Sequence, residues 1–385
     1  MQCKFLDHGI AVSYDHVVKP CCEFEYDADW ARQNHIDQID ITTWHQSSQV
    51  IKIRNELDAG TWPKQCRRCA NLESQGRQDS VRGNANNAYA NYTDQDITIE
   101  IRPGSVCNFG CQTCWPEASS RVAQFYKQAG IINIQSLNTN SISNFDFLLP
   151  IAGRIRNLVL LGGEPFYDPN CQKFLAWAKQ NLQATVNIYT NGSHVDWDWV
   201  NNYTGNITMT FSIDAVGKPA EYIRFGTDWS VVYDNFVRAQ HHPKIKLQVN
   251  VTVSIYNYHL IEDIIDMLIP NWPSVVNFGR PNEPYLGEAS VPDINRLELI
   301  KSLENCVKKL FKSNIALDQQ YNTIKAIKSI IDNFRKIPFD PERFEQIKQF
   351  IKSMDQVKRL NIRDSASPVD FEKHYQYFSD HSTPE

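Results

Sequence analysis

The chain has 385 residues, of which 42% are hydrophobic and 11% aromatic, enough to build a sizeable core in two or three domains. Its formal net charge of −5 argues against a broad nucleic-acid-binding surface, so no nucleic-acid partner is expected. We expect a cytoplasmic protein, because the sequence has no apolar run of membrane-spanning length and does not start with a signal-peptide pattern.

Three regions follow one another along the chain. Residues 1–95 are rich in loops and contain five cysteines. Residues 96–290 alternate short Val-, Ile- and Thr-rich segments with helical ones, which is typical of βαβ units around a parallel sheet. Residues 291–385 have a helical pattern. The sequence therefore predicts an α/β fold: a partial (β/α)6 barrel, preceded by a cysteine-rich domain and followed by a helical extension.

Individual elements are predicted from composition and periodicity. Six strands are expected at Ile97–Arg102, Leu158–Leu161, Thr185–Tyr189, Ile207–Ile213, Leu247–Ile255 and Val275–Phe278. Helices are expected between them at Glu117–Ala129, Pro169–Asn181, Trp197–Asn202, Trp229–His241 and Tyr258–Leu268. The helical extension is expected to contain Leu297–Lys312, Tyr321–Lys336 and Pro341–Met354, and residues 130–156 are expected to form an insertion with a helix of its own.

The ten cysteines are the most unusual feature of the composition. Since the cytosol is reducing, metal binding or catalysis explains them better than disulfides. Cys171 and Cys306 stand alone and are expected to be buried structural residues. The other eight form two groups, which are Cys3, Cys21, Cys22, Cys66 and Cys69 near the start and Cys107, Cys111 and Cys114 after the first barrel strand.

Cys107, Cys111 and Cys114 can wrap one small inorganic core. Thiolates are the soft ligands that iron–sulfur clusters prefer, and three of them leave one iron of a 4Fe–4S cube open for a substrate or cofactor. Gly110 is expected to let the backbone turn tightly between ligands. The loop also follows the carboxyl end of a strand, where barrels of βα units collect their chemistry. The alternative is a structural zinc site or three buried cysteines.

The Cys-x3-Cys-x2-Cys spacing resembles the signature of the radical S-adenosylmethionine (SAM) superfamily. Members of that family usually have an aromatic residue before the third cysteine, whereas this chain has Thr113 there and Trp115 after it. The resemblance covers residues 97–280 and implies that SAM chelates the open iron. One electron then cleaves SAM to a 5′-deoxyadenosyl radical, which abstracts hydrogen from a substrate.

Further motifs carry the same resemblance. The run Gly162-Gly163-Glu164-Pro165 is similar to the family's Gly-Gly-Glu-Pro motif, whose carboxylate accepts hydrogen bonds from the SAM ammonium. Three later strands and helices end in residues that resemble SAM contacts of the family, which are Asn191, Ser212, Asp214 and Arg224. Arg224 resembles the arginine that pairs with the SAM carboxylate; its alternative is a surface salt bridge, and Asp214 could instead be a structural cap.

The N-terminal cysteines resemble the twitch or SPASM type of auxiliary-cluster domain, placed before the barrel. The resemblance implies a second 4Fe–4S cluster bound by Cys3, Cys66, Cys69 and either Cys21 or Cys22, with Cys21 favoured by the family pattern. A zinc ribbon is the alternative, since four-cysteine sites bind zinc readily.

The sequence-based hypothesis is a radical SAM enzyme of oxidoreductase type that modifies a peptide or protein side chain. Oxidation of a small polar molecule such as an amino sugar is the alternative substrate class, and a non-catalytic iron–sulfur or zinc protein is the alternative class of function. A reducing protein such as flavodoxin or ferredoxin is the expected electron donor. No general acid or base can be assigned from the sequence.

Overall fold

The computed structural model of the chain describes residues 1–74, 80–131, 141–279 and 286–360. Within them the chain forms two compact units. The first contains Met1–Ser105, Asn138–Ile188 and Asp196–Ile207. The second contains Val106–Leu137, Tyr189–Val195 and Thr208–Glu385. The predicted domain boundaries near residues 95 and 290 stay predictions.

The fold is mixed α/β, as predicted, with an eight-stranded sheet among the described residues. The sheet order is β2-β1-β3-β4-β5-β6-β7-β8. The pairs β1–β3, β3–β4, β4–β5 and β7–β8 are parallel, and β1–β2 is antiparallel. The strands are β1 Gly9–Val12, β2 Val18–Lys19, β3 Ile97–Ile101, β4 Ile155–Leu160, β5 Thr185–Thr190, β6 Ile207–Ser212, β7 Ile245–Thr252 and β8 Val275–Gly279.

All six predicted strands are present and follow one another across the sheet as β3 to β8. The two additional strands, β1 and β2, come from the region expected to be rich in loops. β1 extends the sheet because it pairs with β3, Gly9 opposite Thr98 and Val12 opposite Ile101.

Among the described residues, the helices are α1 Phe5–His8, α2 Ala28–Gln33, α3 Ser48–Asp58, α4 Arg67–Ser74, α5 Val81–Ala88, α6 Ser120–Gln128, α7 Pro169–Asn181, α8 Trp197–Asn202, α9 Lys218–Ile223, α10 Trp229–Gln240, α11 Ile261–Leu268, α12 Asp293–Lys312, α13 Leu317–Lys336 and α14 Pro341–Leu360. The eight predicted helices are present as α6 to α8 and α10 to α14, most of them with shifted ends, whereas α1 to α5 and α9 were not predicted. No helix in the described part of the chain is both long and apolar enough to cross a membrane.

The predicted insertion at residues 130–156 lies partly outside the described residues. Its described part contains a 3-10 helix at Asp146–Arg154, which is interrupted by Pro150 and leads directly into β4.

Helix α14 continues six residues beyond its predicted end at Met354. Its buried positions recur every three or four residues, which is the spacing of one helix face. They are Phe344, Ile347, Ile351, the neighbours Met354 and Asp355, and the neighbours Val357 and Lys358. The helix packs against α6, where Phe350 meets Tyr126 edge to face with ring centroids 5.6 Å apart.

Candidate functional site

The Cys107–Cys114 loop connects β3 to α6 and belongs to the second unit. Phe109, Cys111 and Val232 form a buried apolar cluster, and Cys107, Cys114 and Trp229 pack against it. Two backbone hydrogen bonds fix the loop to the end of α9: Gly110 N donates to Phe225 O and Gln112 N to Ile223 O, both at 2.8 Å. These contacts hold the three thiols together.

The three thiols lie within electrostatic range of one another. Burial raises the pKa of Cys114, and the neighbouring Cys111 and Cys107 raise it further. Burial also raises the pKa of Cys111, and Arg224 opposes that rise. A group of thiolates at this position therefore needs compensating positive charge, either from a bound metal core or from nearby cations.

Arg224 supplies such a charge from a largely buried position, with 14% of its side chain exposed. Its Nη1 donates to Asp214 Oδ2 at 2.7 Å, and the Asp214 side chain is fully buried. Burial lowers the pKa of Arg224, but Cys111 and Asp214 together raise it above its usual value. Arg224 Nε is buried and makes no hydrogen bond within the described residues. The arginine is therefore part of a buried ion pair, which excludes the surface salt bridge considered above, and one of its donors is available to a ligand.

Asp214 accepts hydrogen bonds from two residues besides Arg224. Its Oδ1 accepts from Thr252 N at 2.7 Å, and its carbonyl oxygen accepts from Asn257 Nδ2 at 2.9 Å. Since both carboxylate oxygens are engaged by the protein, Asp214 orients Arg224 in this structure.

Asn191 and Ser212 follow neighbouring strands of the same unit. Asn191 Nδ2 donates to Asn108 Oδ1 at 2.9 Å, and Asn108 Nδ2 donates to Ser193 Oγ at 2.9 Å. Asn191 thus contacts the cysteine loop. Ser212 is the last residue of β6 and is partly exposed. A SAM-binding role for either residue stays a prediction.

The Gly162–Pro165 turn belongs to the first unit. Gly162 has a packing requirement of its own, because a Cβ there would lie 2.8 Å from Cys171 Sγ and 3.1 Å from Gly104 O. The Glu164 side chain is buried, and its Oε1 accepts from Phe166 N at 3.3 Å. The turn is therefore well ordered by its own contacts, and its binding of SAM stays a prediction.

Four of the five N-terminal cysteines are electrostatically coupled in the first unit. Burial raises the pKa of Cys66 to about 12, and Cys3 and Cys69 add to the rise. Burial also raises the pKa of Cys21, to which Cys22, Cys3 and Cys66 contribute. Cys22 is exposed, and its largest electrostatic influences come from charged residues, which are Glu100, Glu23, Arg102 and Lys19. The structure thus groups Cys21, not Cys22, with Cys3, Cys66 and Cys69.

Arg82 is a cation beside this group that the sequence did not single out. It lowers the pKa of Cys3, Cys66 and Cys69. Its side chain is fixed by Glu73, which accepts from Nε at 3.0 Å. Like Arg224 in the second unit, it places positive charge next to thiols.

Both cysteine groups present thiols, which are ligands that iron–sulfur clusters and zinc both accept. In the described ranges, no three Cys, His, Asp or Glu side chains are arranged to hold one metal ion. A tetrahedral zinc ion needs four ligands at about 2.0 to 2.3 Å from one point. A 4Fe–4S cube binds each thiolate through a different iron, so its ligands do not have to converge. With Arg224 Nε unpartnered, the residues of the second unit fit a cluster with an open iron and an anionic ligand.

Neither a family model nor a curated protein sequence matches this chain. Solved structures of similar arrangement include Streptococcus suis SuiB bound to S-adenosylmethionine (15% identity, 80% of this chain, 69% of that chain, TM-score 0.36). Native anSMEcpe with bound AdoMet and a Kp18Cys peptide gives 16% identity, 58% and 62% coverage and a TM-score of 0.39. TYW1 with a lysine-pyruvate adduct bound has 15% identity over 54% of this chain and 73% of that chain, with a TM-score of 0.32. Similarity at this level assigns no activity to this chain, and the chain spans less than two thirds of the anSMEcpe structure.

Two buried residues near the triad were missed by sequence reasoning. The Gln112 side chain makes no hydrogen bond through either polar atom to the described residues, although it is only 2% exposed. Lys358 is fully buried, and its Nζ also lacks a hydrogen bond within the described residues. Lys358 continues the buried face of α14, but its charge breaks the apolar pattern from which burial is inferred.

Proposed function

We propose that this protein is a radical SAM enzyme whose catalytic 4Fe–4S cluster is bound by Cys107, Cys111 and Cys114. The observation that carries the proposal is the grouping of three thiols with the buried Arg224, whose Nε is unpartnered. A structural zinc site would have no use for that arginine. If SAM binds the open iron of a cluster, its carboxylate needs a cationic partner, and an arginine supplies one.

When bound, such a cluster supplies the electron that cleaves SAM to a 5′-deoxyadenosyl radical, which then abstracts hydrogen from the substrate. The residues of the chain would bind the cluster and orient SAM. The three cysteines would hold the cluster, Asp214 orients Arg224, and Arg224 Nε would donate to the SAM carboxylate. Phe109 and Val232 keep water away from the thiols.

The four coupled cysteines of the first unit bind a second 4Fe–4S cluster in this proposal. Four thiolates close its coordination, which suits an electron conduit better than substrate binding. Following the sequence resemblance, the substrate is a peptide or protein side chain, and a small polar molecule is the alternative. The reductant in the cell is a low-potential protein such as flavodoxin or ferredoxin.

Formation of 5′-deoxyadenosine tests the catalytic proposal. The anaerobically reconstituted wild-type protein, given SAM and dithionite, is expected to form it, and the Cys107→Ala/Cys111→Ala/Cys114→Ala variant is expected to fall to the level of the enzyme-free reaction. Mass spectrometry measures the product. Equal formation by wild type and variant would contradict the assignment, and absence of the product from a wild type with an intact triad cluster and bound SAM would point to a non-catalytic protein.

Iron content separates the two candidate ligands of the second cluster. In the triple-alanine background, we expect about four irons per chain, the content of one cube. Cys22→Ser should retain them and Cys21→Ser should lose most of them, because Cys21 is coupled to Cys3 and Cys66 whereas Cys22 is exposed. The two serine variants control for each other. Zinc in place of iron, or the reverse order of loss, would contradict the prediction.

A further inference from the structure

Lys358 is a buried cation that the proposed function does not use. It lies on the apolar stripe of α14, has no measurable exposure, and its Nζ makes no hydrogen bond to the described residues. Lysine is almost never fully buried unless it is paired. An aliphatic side chain at this position would fill the same stripe without the cost of desolvating a charge. Packing alone therefore does not explain a lysine at position 358.

The surroundings of Lys358 connect it to the triad. Burial lowers the pKa of Lys358, Asp355 and Cys111 oppose that change, and Arg121 adds to it. Its Nζ lies 5.7 Å from the centroid of the Phe225 ring, next to the segment that fixes the cysteine loop. Asp355 is one turn earlier on α14 and accepts hydrogen bonds from Tyr222 Oη at 3.2 and 3.3 Å.

Both cations and carboxylates lie near the triad. Arg121, Arg224 and Lys358 are three cations, and two carboxylates, Asp214 and Asp355, face them. Asp214 pairs with Arg224 at 2.7 Å. An oxidised cube held by three thiolates carries one net negative charge and gains a second when it is reduced. A buried cation near Cys111 therefore stabilises the reduced form of the cluster more than the oxidised form.

We propose that Lys358 is a positioning residue for charge: it stabilises the reduced form of the cluster at the triad and so raises its reduction potential. This inference rests on the proposed function. The step is the transfer of one electron from a low-potential donor to the cluster, with no bond broken and no proton moved. A buried positive charge acts through a low effective dielectric, so its effect is larger than that of a surface lysine.

A redox titration followed by electron paramagnetic resonance tests the proposal on the full-length reconstituted protein. Dithionite serves as the donor and SAM is left out. The signal that is present in the wild type and missing from the triple-alanine variant belongs to the triad cluster. If no such signal exists in the wild type, the proposed function itself fails, whatever the role of Lys358.

Lys358→Met removes the charge and keeps the chain length of the side chain. We expect it to lower the equilibrium constant for reduction of the triad cluster roughly tenfold or more, about 59 mV for a one-electron couple. Lys358→Arg keeps the charge, and Lys352→Met removes an exposed lysine of the same helix. Both should stay within about threefold of the wild type, because a screened surface charge has little effect at this range.

An unchanged equilibrium constant in Lys358→Met would overturn the proposal. So would weaker SAM binding at an unchanged reduction potential, since this would make Lys358 a ligand contact. Lys358→Gln is the second neutral variant in case the methionine disturbs packing. If both neutral variants lose cooperative unfolding, the role of Lys358 is structural and the proposal is also overturned.

Discussion

Replacement of Asp214 by asparagine is expected to lower the free energy of unfolding by about 3 to 5 kcal/mol, the range seen when one partner of a buried ion pair is removed. Asparagine can keep the acceptor for Thr252 N, but an amide NH2 replaces the charged oxygen that Arg224 Nη1 binds at 2.7 Å. Arg224 would then be a buried cation without its counterion. Urea-induced unfolding of the apoprotein measures the change.

Two controls isolate the charge as the cause. Glu304→Gln breaks the exposed pair between Glu304 and Arg335, which joins atoms 2.8 Å apart and should contribute no more than about 1 kcal/mol. The double variant Asp214→Asn/Arg224→Met removes both charges and should recover part of the lost stability. If the double variant is as unstable as Asp214→Asn alone, the orphaned charge is not the source of the penalty.

The ion pair between Asp214 and Arg224 could not be predicted from the sequence. The two residues follow a strand and a short helix, and the sequence indicated only that each resembles a SAM contact. Their ion pair depends on how the end of α9 folds back beside the end of β6, which is a tertiary arrangement. A periodicity or spacing argument describes one segment at a time and therefore does not reach such a pair.

The strands illustrate the same limit. β3 to β8 were predictable because each is a segment of five to eight residues rich in β-branched and other apolar residues. β1 has four residues and β2 has two, too few for alternation to be visible, and β1 is defined by its pairing with β3. The sheet was therefore predicted with its centre correct and one edge missing.

The end of α14 was missed for a different reason. After Met354 the sequence continues with Asp355-Gln-Val-Lys358, which resembles a solvated helix end. The structure instead buries Asp355 and Lys358 on the apolar face. Charged residues at core positions break the pattern from which burial is inferred, and such breaks are expected at functional sites. For this reason the burial of Lys358 was not predictable from the sequence.

Gly110 was assigned a role in turning the cysteine loop, and the structure gives it another. Gly110 is not among the described glycines with positive φ, so its backbone conformation is open to other residues. The constraint is the Phe125 ring, since a Cβ at Gly110 would lie 2.9 Å from its Cδ2 and closer still to its Cε2. That ring is 1% exposed and meets Phe225 edge to face with centroids 5.7 Å apart. It cannot move aside without disturbing the segment that fixes the loop.

Gly110→Ala is therefore expected to cost about 1 to 3 kcal/mol through overpacking and to reduce the iron bound at the triad. Iron analysis and thermal unfolding of the reconstituted protein measure the two effects. Gly153→Ala is the matched control, because no atom lies within 4 Å of a Cβ there, and its effect should stay within about 0.5 kcal/mol. Phe125→Leu in the Gly110→Ala background makes room for the methyl group and should restore part of the iron. Full iron content in Gly110→Ala would mean that the loop tolerates displacement, and that the contact with Phe125 does not set the geometry of the three cysteines.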